Sequence, residues 1–283
     1  LKPVFLRPEN FVRAFGTEFI VAKYSNFGVI IHTGPIAAEP SSGGHLRGMS
    51  GGALSAFWTP SSGSVILGRR GGDQGDTYDS YADWEILPVH AVSGVTSSDG
   101  IFTSSRNRTV NPVYTVGTAT AQVQVSGTIP KSNLMQGQVL QGDIIYSRQF
   151  DVDATGLNVL TTVTGDGQDP ISEIYEILPI FLKDTQKQAS VTPSVIEFQV
   201  NAGWISATTT LTSNVTAVRV QRFTGTTTIQ FISPQKVKLS PLVWQDGYQS
   251  RASCRNVMVD LRDAGGQLPS GVPRTVEYKI MPN

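Results

Sequence analysis

Thr216-Ala217-Val218-Arg219-Val220-Gln221-Arg222-Phe223-Thr224-Gly225-Thr226 is the stretch whose reading decides the fold. Val218 and Val220 share one side with Thr216, while Arg219 and Gln221 share the other. This is the period-two pattern of a strand with one dry and one wet face. The run then meets Phe223-Thr224-Gly225-Thr226, a hairpin signal in which glycine supplies the positive φ of a tight turn. Asp153-Ala154-Thr155-Gly156 carries the same signal earlier in the chain.

Outward from that hairpin, strand-sized segments recur at 18–23, 28–31, 54–58, 64–67, 113–116, 121–125, 139–145 and 148–152. They continue at 158–163, 173–181, 195–200, 207–211, 217–223, 227–232, 255–261 and 274–280. Spacings of about ten residues, punctuated by Gly, Pro, Asn and Asp, are those of a sandwich or barrel. Helical periodicity is confined to residues 8–14, where Phe11 and Val12 fit an extended segment equally well. The fold expected is all-β, a large antiparallel (super) β-sandwich. No internal repeat or low-complexity linker divides the 283 residues, so one domain spanning 1–283 is expected. The polar stretch 183–192 is the one candidate sub-boundary, and it reads better as a surface crossover between sheets.

Composition narrows the function classes. Lys+Arg 22 against Asp+Glu 22 gives a net charge of +0, so no whole-chain basic field exists to gather nucleic acid or an anionic membrane. No apolar run is long enough to span a bilayer. Low charge with abundant Gly, Pro, Val, Thr and Ser suits a secreted or cell-surface β protein. Cys254 is the only cysteine, so no intrachain disulfide forms. The chain starts at Leu1 without Met or a signal-like segment and reads as a processed or excised piece. Asn107-Arg108-Thr109 and Asn214-Val215-Thr216 match the glycan acceptor pattern, a match that arises often by chance.

The densest chemistry lies between residues 28 and 108, which hold all three histidines, His32, His45 and His90. His45 sits among Gly43, Gly44, Gly48, Gly51 and Gly52, a loop whose backbone can approach a ligand closely. The plain alternative is a solvated surface histidine. His32 and His90 fall at strand ends, where a structural hydrogen bond competes with a catalytic role. Trp84, between Asp83 and Glu85, reads as a stacking platform for a sugar ring; Trp58 reads as core, and Trp204 and Trp244 as packing residues. Three histidines with Asp73, Asp76, Asp79 or Asp83 could assemble zinc or calcium ligands. The spacing matches no tight motif, so no cofactor is expected and a divalent metal stays open. Gly68-Arg69-Arg70-Gly71-Gly72 lacks the lysine and helix of a phosphate loop, and the Gly48-x-Ser50-x-Gly52 frame lacks its strand-to-helix elbow.

Several strings together, Ile31-His32-Thr33-Gly34-Pro35, Leu54-Ser55-Ala56-Phe57-Trp58-Thr59-Pro60, Gly68-Arg69-Arg70 and Pro88-Val89-His90-Ala91-Val92-Ser93-Gly94, join Arg13-Ala14-Phe15-Gly16, Val237-Lys238-Leu239 and Cys254-Arg255-Asn256. With these the chain resembles the β-sandwich portion of heparinase II/III-like polysaccharide lyases. The resemblance implies an acidic, uronic-acid polysaccharide as partner, and a helical toroid that usually precedes the sandwich and is missing here. Eliminative cleavage needs a cation at the uronate, a base and an acid. Arg47 or Arg69 is the expected cation and His45 or Tyr81 the expected proton carrier, with Trp84, Arg70, Tyr78 and His90 binding substrate; Arg106 adds another cation to the stretch. The competing class is a non-catalytic structural, self-assembling or carbohydrate-binding sandwich, with the same loops making contacts only and edge strands pairing with further copies.

Overall fold

The computed structural model describes residues 10–34, 51–68, 88–98, 100–107, 109–131, 140–183, 192–241, 243–245 and 253–283. Their strands are β1 (Phe11–Phe15), β2 (Phe19–Lys23), β3 (Gly28–His32), β4 (Ala53–Thr59), β5 (Gly63–Leu67), β6 (Ala91–Thr96), β7 (Ile101–Thr103), β8 (Asn111–Val116) and β9 (Ala121–Thr128). There follow β10 (Ile144–Asp153), β11 (Gly156–Gly165), β12 (Ile171–Lys183), β13 (Val195–Val200), β14 (Gly203–Ser206), β15 (Thr212–Arg222), β16 (Gly225–Leu239), β17 (Trp244–Gln245), β18 (Ser253–Asp260) and β19 (Arg274–Pro282). The chain is all-β and antiparallel, a sandwich-like sheet nearly closed on itself.

The front sheet runs β8-β9-β10-β11-β19-β16-β15-β13-β14. In the back sheet, β1 through β5 follow one another by hairpins. β12 then pairs with β6 along its first half, touches β5 at Ile180, and carries β18 on its other side. The long β16 joins the two sheets: Thr227–Phe231 pair with β19 in front, and Val237–Leu239 pair with β18 behind. Inward residues of both sheets, from Val12 to Ile280, form one contiguous apolar cluster. That burial is the main driving force for the fold.

The opening hairpin forms with Arg222 opposite Gly225, but the positive φ falls on Phe223 (52°) and not on the glycine. Gly225 answers a different need, because a Cβ there would overlap the Ser61 and Ser62 hydroxyls. Arg222 lies between the Phe181 and Phe223 rings, 4.6 and 4.4 Å from their centroids. Its Nη1 donates to the carbonyls of Ser62 (2.8 Å) and Ser64 (3.1 Å), tying this hairpin to the β4–β5 turn. Two expected strands change. Residues 207–211 form no strand, only single backbone bonds from Ala207 to Ile196 and from Leu239 to Thr208, and of the described part of the stretch expected at 139–145 only Ile144 and Ile145 join β10, which continues unbroken to Asp153. Residues 11–15 are strand β1, with Val12 in the core and Arg13 outside. Residues 184–191, the expected crossover, lie outside the described residues.

Candidate functional site

His45, Arg47, Arg69, Arg70, Tyr78, Tyr81 and Trp84 lie outside the described residues, as do Asp73, Asp76, Asp79 and Asp83. Of the residues expected to bind or react, His90 is the one that can be placed, and it sits between the two sheets with no exposed surface. Leu54 N–H donates to His90 Nδ1 (2.8 Å), so the ring proton sits on Nε2, 2.7 Å from Glu176 Oε1 and 3.0 Å from the Tyr278 hydroxyl. Strand alternation brings the other members inward. Arg148 on β10 stands opposite Thr161 on β11, Tyr278 comes from β19, and Glu176 faces them from β12.

Every polar atom of the Glu176 carboxylate is used. Oε1 accepts from Thr161 (2.9 Å), Tyr278 (3.1 Å) and His90, and Oε2 accepts from Arg148 Nη2 (2.7 Å). Arg148 also donates through Nε to Thr161 (3.1 Å) and through Nη1 to the Gly52 carbonyl. Gly51 and Gly52 both take positive φ, 80° and 75°, and pack against Ser104, Tyr146 and Val125. At these two positions the backbone approaches core side chains, the arginine among them, and not a ligand; the rest of the glycine loop around His45 lies outside the described residues. Arg148, Glu176, His90 and Thr161 are all sealed from solvent, so this cluster bridges the sheets and offers no face to a substrate.

Burial opposes the charge on Glu176, but Arg148 and the donors around it win and hold its pKa at about 2. Burial first, then Arg148, lowers His90 to about 4 against the pull of Glu176. Burial alone lowers His32 to about 4; its ring is edge-on to Phe19 at 4.8 Å. All three groups bind protons more tightly in the unfolded chain, so folding stability falls with acidification. The loss begins as pH drops below about 6.5, the unfolded histidine value, and runs down to about 4. Glu176 adds a second loss between 4.5 and about 2. Urea midpoints measured from pH 8 to pH 3 are expected to be flat above 7 and to decline steadily below 6.5. A midpoint that rises between 6.5 and 4 would contradict this network.

An open concavity lies elsewhere, on the outer face of β1–β5, with a volume of about 840 Å³. Cross-strand register lays down its floor in rows. Phe11, Lys23, Gly28, Trp58 and Ser64 make one, and Val21, Ile30 and Ala56 the next. Both faces of this sheet are therefore apolar: Ile20, Val29, Ile31 and Phe57 point into the core, while Val21, Ile30, Ala56 and Trp58 point out. Trp58, expected in the core, is thus on the outer side. A Cβ on Gly28 would overlap three adjacent atoms of the Trp58 six-membered ring, so the indole lies with its face over that glycine. Its position is set by the bare strand beneath it. Tyr24 and Phe27 stack at 4.8 Å along the wall, and Phe15, half exposed at 53%, forms the rim. Lys23, Ser25, Thr59 and Ser64 are the polar groups of the lining.

The aromatic signal for this site was present in the sequence at Trp58 and Phe11, but the face each takes was not. An extra residue in β4 shifts the register between Ile30 and Ile31, so Leu54 and Phe57, three apart, both reach the core. That β-bulge reverses the parity a simple alternation assigns. Trp204, expected as packing, also lies on an outer face, with the Arg219 guanidinium 4.3 Å from its ring centroid.

Among the described residues no group of three or more His, Cys, Asp and Glu is placed to hold a metal, and no helix is long and apolar enough to cross a membrane. No family model and no curated protein matches the chain in sequence. In structure it is similar to a galactose mutarotase-like protein from Clostridium acetobutylicum, with TM-score 0.54 and 8% identity over 97% of this chain and 98% of that one. A galactose mutarotase-like protein from Lactobacillus casei ATCC 334 gives TM-score 0.48 and 11% identity, over 94% of this chain and 100% of that one. The expected kinship with heparinase II/III-like lyases is corrected by the first of these neighbours. Where they fall on described residues, the strings that carried it lie on strands, bends and turns, and the first likeness shows the fold of a galactose mutarotase-like protein.

Proposed function

We propose that the chain is a non-catalytic carbohydrate-binding β-sandwich that takes a sugar ring in the β1–β5 trough, stacked on Trp58. The observation that carries this reading is the face-on seat of the Trp58 indole over Gly28 inside a concavity of about 840 Å³. A hexose has one face of C–H groups that packs on an aromatic ring and a rim of hydroxyls that need polar partners. Trp58 and Phe11 offer the first, and Lys23, Ser25 and Ser64 the second. The galactose-related name of the Clostridium acetobutylicum fold neighbour agrees with a sugar ligand. Binding without turnover is favoured because the one imidazole–carboxylate pair among the described residues, His90–Glu176, is shut inside the core.

Calorimetric titration of mono- and disaccharides, galactose and glucose among them, tests the reading. At least one sugar should bind, and Trp58→Ala should weaken it by about 2 kcal/mol, roughly thirtyfold in Kd, with little change in thermal midpoint. Equal affinity in wild type and Trp58→Ala would remove the trough as the site.

A further inference from the structure

The outer face of the front sheet differs in chemistry from the trough. A single cross-strand row runs from Gln122 through Asp151, Asn158, Lys279 and Gln230 to Trp204, crossing β9, β10, β11, β19 and β16 and then, by way of Ala217 and Gln199, β15, β13 and β14. With neighbouring strands about 4.8 Å apart, the row extends over roughly 34 Å. Apart from Ala217 and Trp204 its members are amides and ions, not the Val, Ile and Phe that fill the inner side of the same strands.

The row is held in place by its own hydrogen bonds. Asn158 Nδ2 donates to Glu277 (3.0 Å), Gln230 Nε2 to the Thr216 carbonyl (2.8 Å), and Lys279 Nζ to Thr155 (2.7 Å). At one end Arg219 covers a face of Trp204 while its Nε donates to Glu197 (2.6 Å). Near the other end, Asp151 Oδ2 accepts from Gln149 (2.8 Å), and its buried Oδ1 has no hydrogen-bond partner among the described residues. That oxygen is shielded from solvent, so the carboxylate meets a ligand on this face through its Oδ2 side, beside the Gln149 amide.

We infer that this face is a second binding surface, for an extended, uncharged polysaccharide lying across the strands. Fixed amides and carboxylates at strand spacing present one hydrogen-bonding group after another to a chain of hydroxyl-bearing units, and preorganisation lowers the cost of ordering them. Opposite charges alternate along the face, Asp151 and Glu277 beside Lys279, and Glu197 beside Arg219, so no field of one sign favours a polyanion. The sheet twists between neighbouring strands, which a single flexible chain can follow and a flat crystalline plane cannot. Such a surface reads polymer length, whereas the trough holds a short sugar, and the two stand independently on opposite sides of the sandwich.

Affinity electrophoresis in native gels tests it with barley β-glucan, glucomannan, xylan and hydroxyethylcellulose as uncharged polymers and polygalacturonate as the charged one. The expected result is retardation by at least one uncharged polymer, no stronger retardation by polygalacturonate, and about a tenfold weaker apparent affinity in both Trp204→Ala and Asp151→Ala. Trp204 lies on a four-residue edge strand, and thermal melts of both variants, with calorimetric disaccharide binding retained, would show that the fold and the trough are intact. Absence of retardation by every uncharged polymer overturns the inference. So does retardation unchanged in both variants, or lost at Trp204 alone while Asp151→Ala behaves as wild type.

Discussion

Arg148→Ala is expected to cost roughly 3–5 kcal/mol of folding stability, a large share of what a domain possesses. The substitution leaves the Glu176 carboxylate between two apolar sheets without its guanidinium, while Thr161 and the Gly52 carbonyl lose a donor. Glu176→Ala should cost a similar amount, because it strands Arg148 and removes the acceptor shared by His90, Tyr278 and Thr161. The pair joined as Arg148→Met with Glu176→Leu should be far less damaging than the sum of the single changes, since no charge then remains buried. Urea unfolding of the four proteins, compared at constant slope, reads these terms. Single variants that each lose under about 1 kcal/mol would mean that the cluster is not the bridge its geometry describes.

Gly52→Ala is the second large effect, on the order of 2–5 kcal/mol from left-handed backbone strain together with overpacking. Its φ is 75°, and an added Cβ would stand 2.6 Å from Val125 Cβ and 2.8 Å from Cγ1. Gly266 provides the control, with a nearly equal φ of 77° and nothing within 4 Å of the place a Cβ would take. Gly266→Ala should therefore show the backbone term alone, about 1–2 kcal/mol. Thermal or urea midpoints for the two variants should differ clearly, and equal losses would show that the space around Gly52 plays no part.

How much of this was legible before the fold was known depends on the distance over which each signal acts. The alternation in residues 216–223 and the turn at Asp153–Gly156 are local, and both appear as strands and a hairpin. Residues 8–14 were ambiguous because Phe11 and Val12 fit either period, and the pairing of β1 with β2 decides the matter. The role of His90 was out of reach. Its partner Glu176 is 86 positions away and Tyr278 is 188 away, and nothing local says that an imidazole beside Pro88 and Val89 will meet them. The glycine loop was read for its approach to a ligand; at 51 and 52 what approaches is Ser104, Val125 and Arg148, partners that no local signal names. Trp58 was misplaced for a physical reason, since a sheet apolar on both faces gives no contrast to read and the bulge in β4 shifts the count.

The central claim is that a sugar is bound on the outer trough and not at the buried imidazole–carboxylate pair. Backbone amide chemical-shift mapping, with the sugar that titrates best, tests it directly. The account predicts the largest shifts at Lys23, Gly28, Trp58 and Ser64, with Leu54, His90 and Glu176 unmoved. Shifts centred on His90 and Glu176, or none at the trough under saturating sugar, would contradict it.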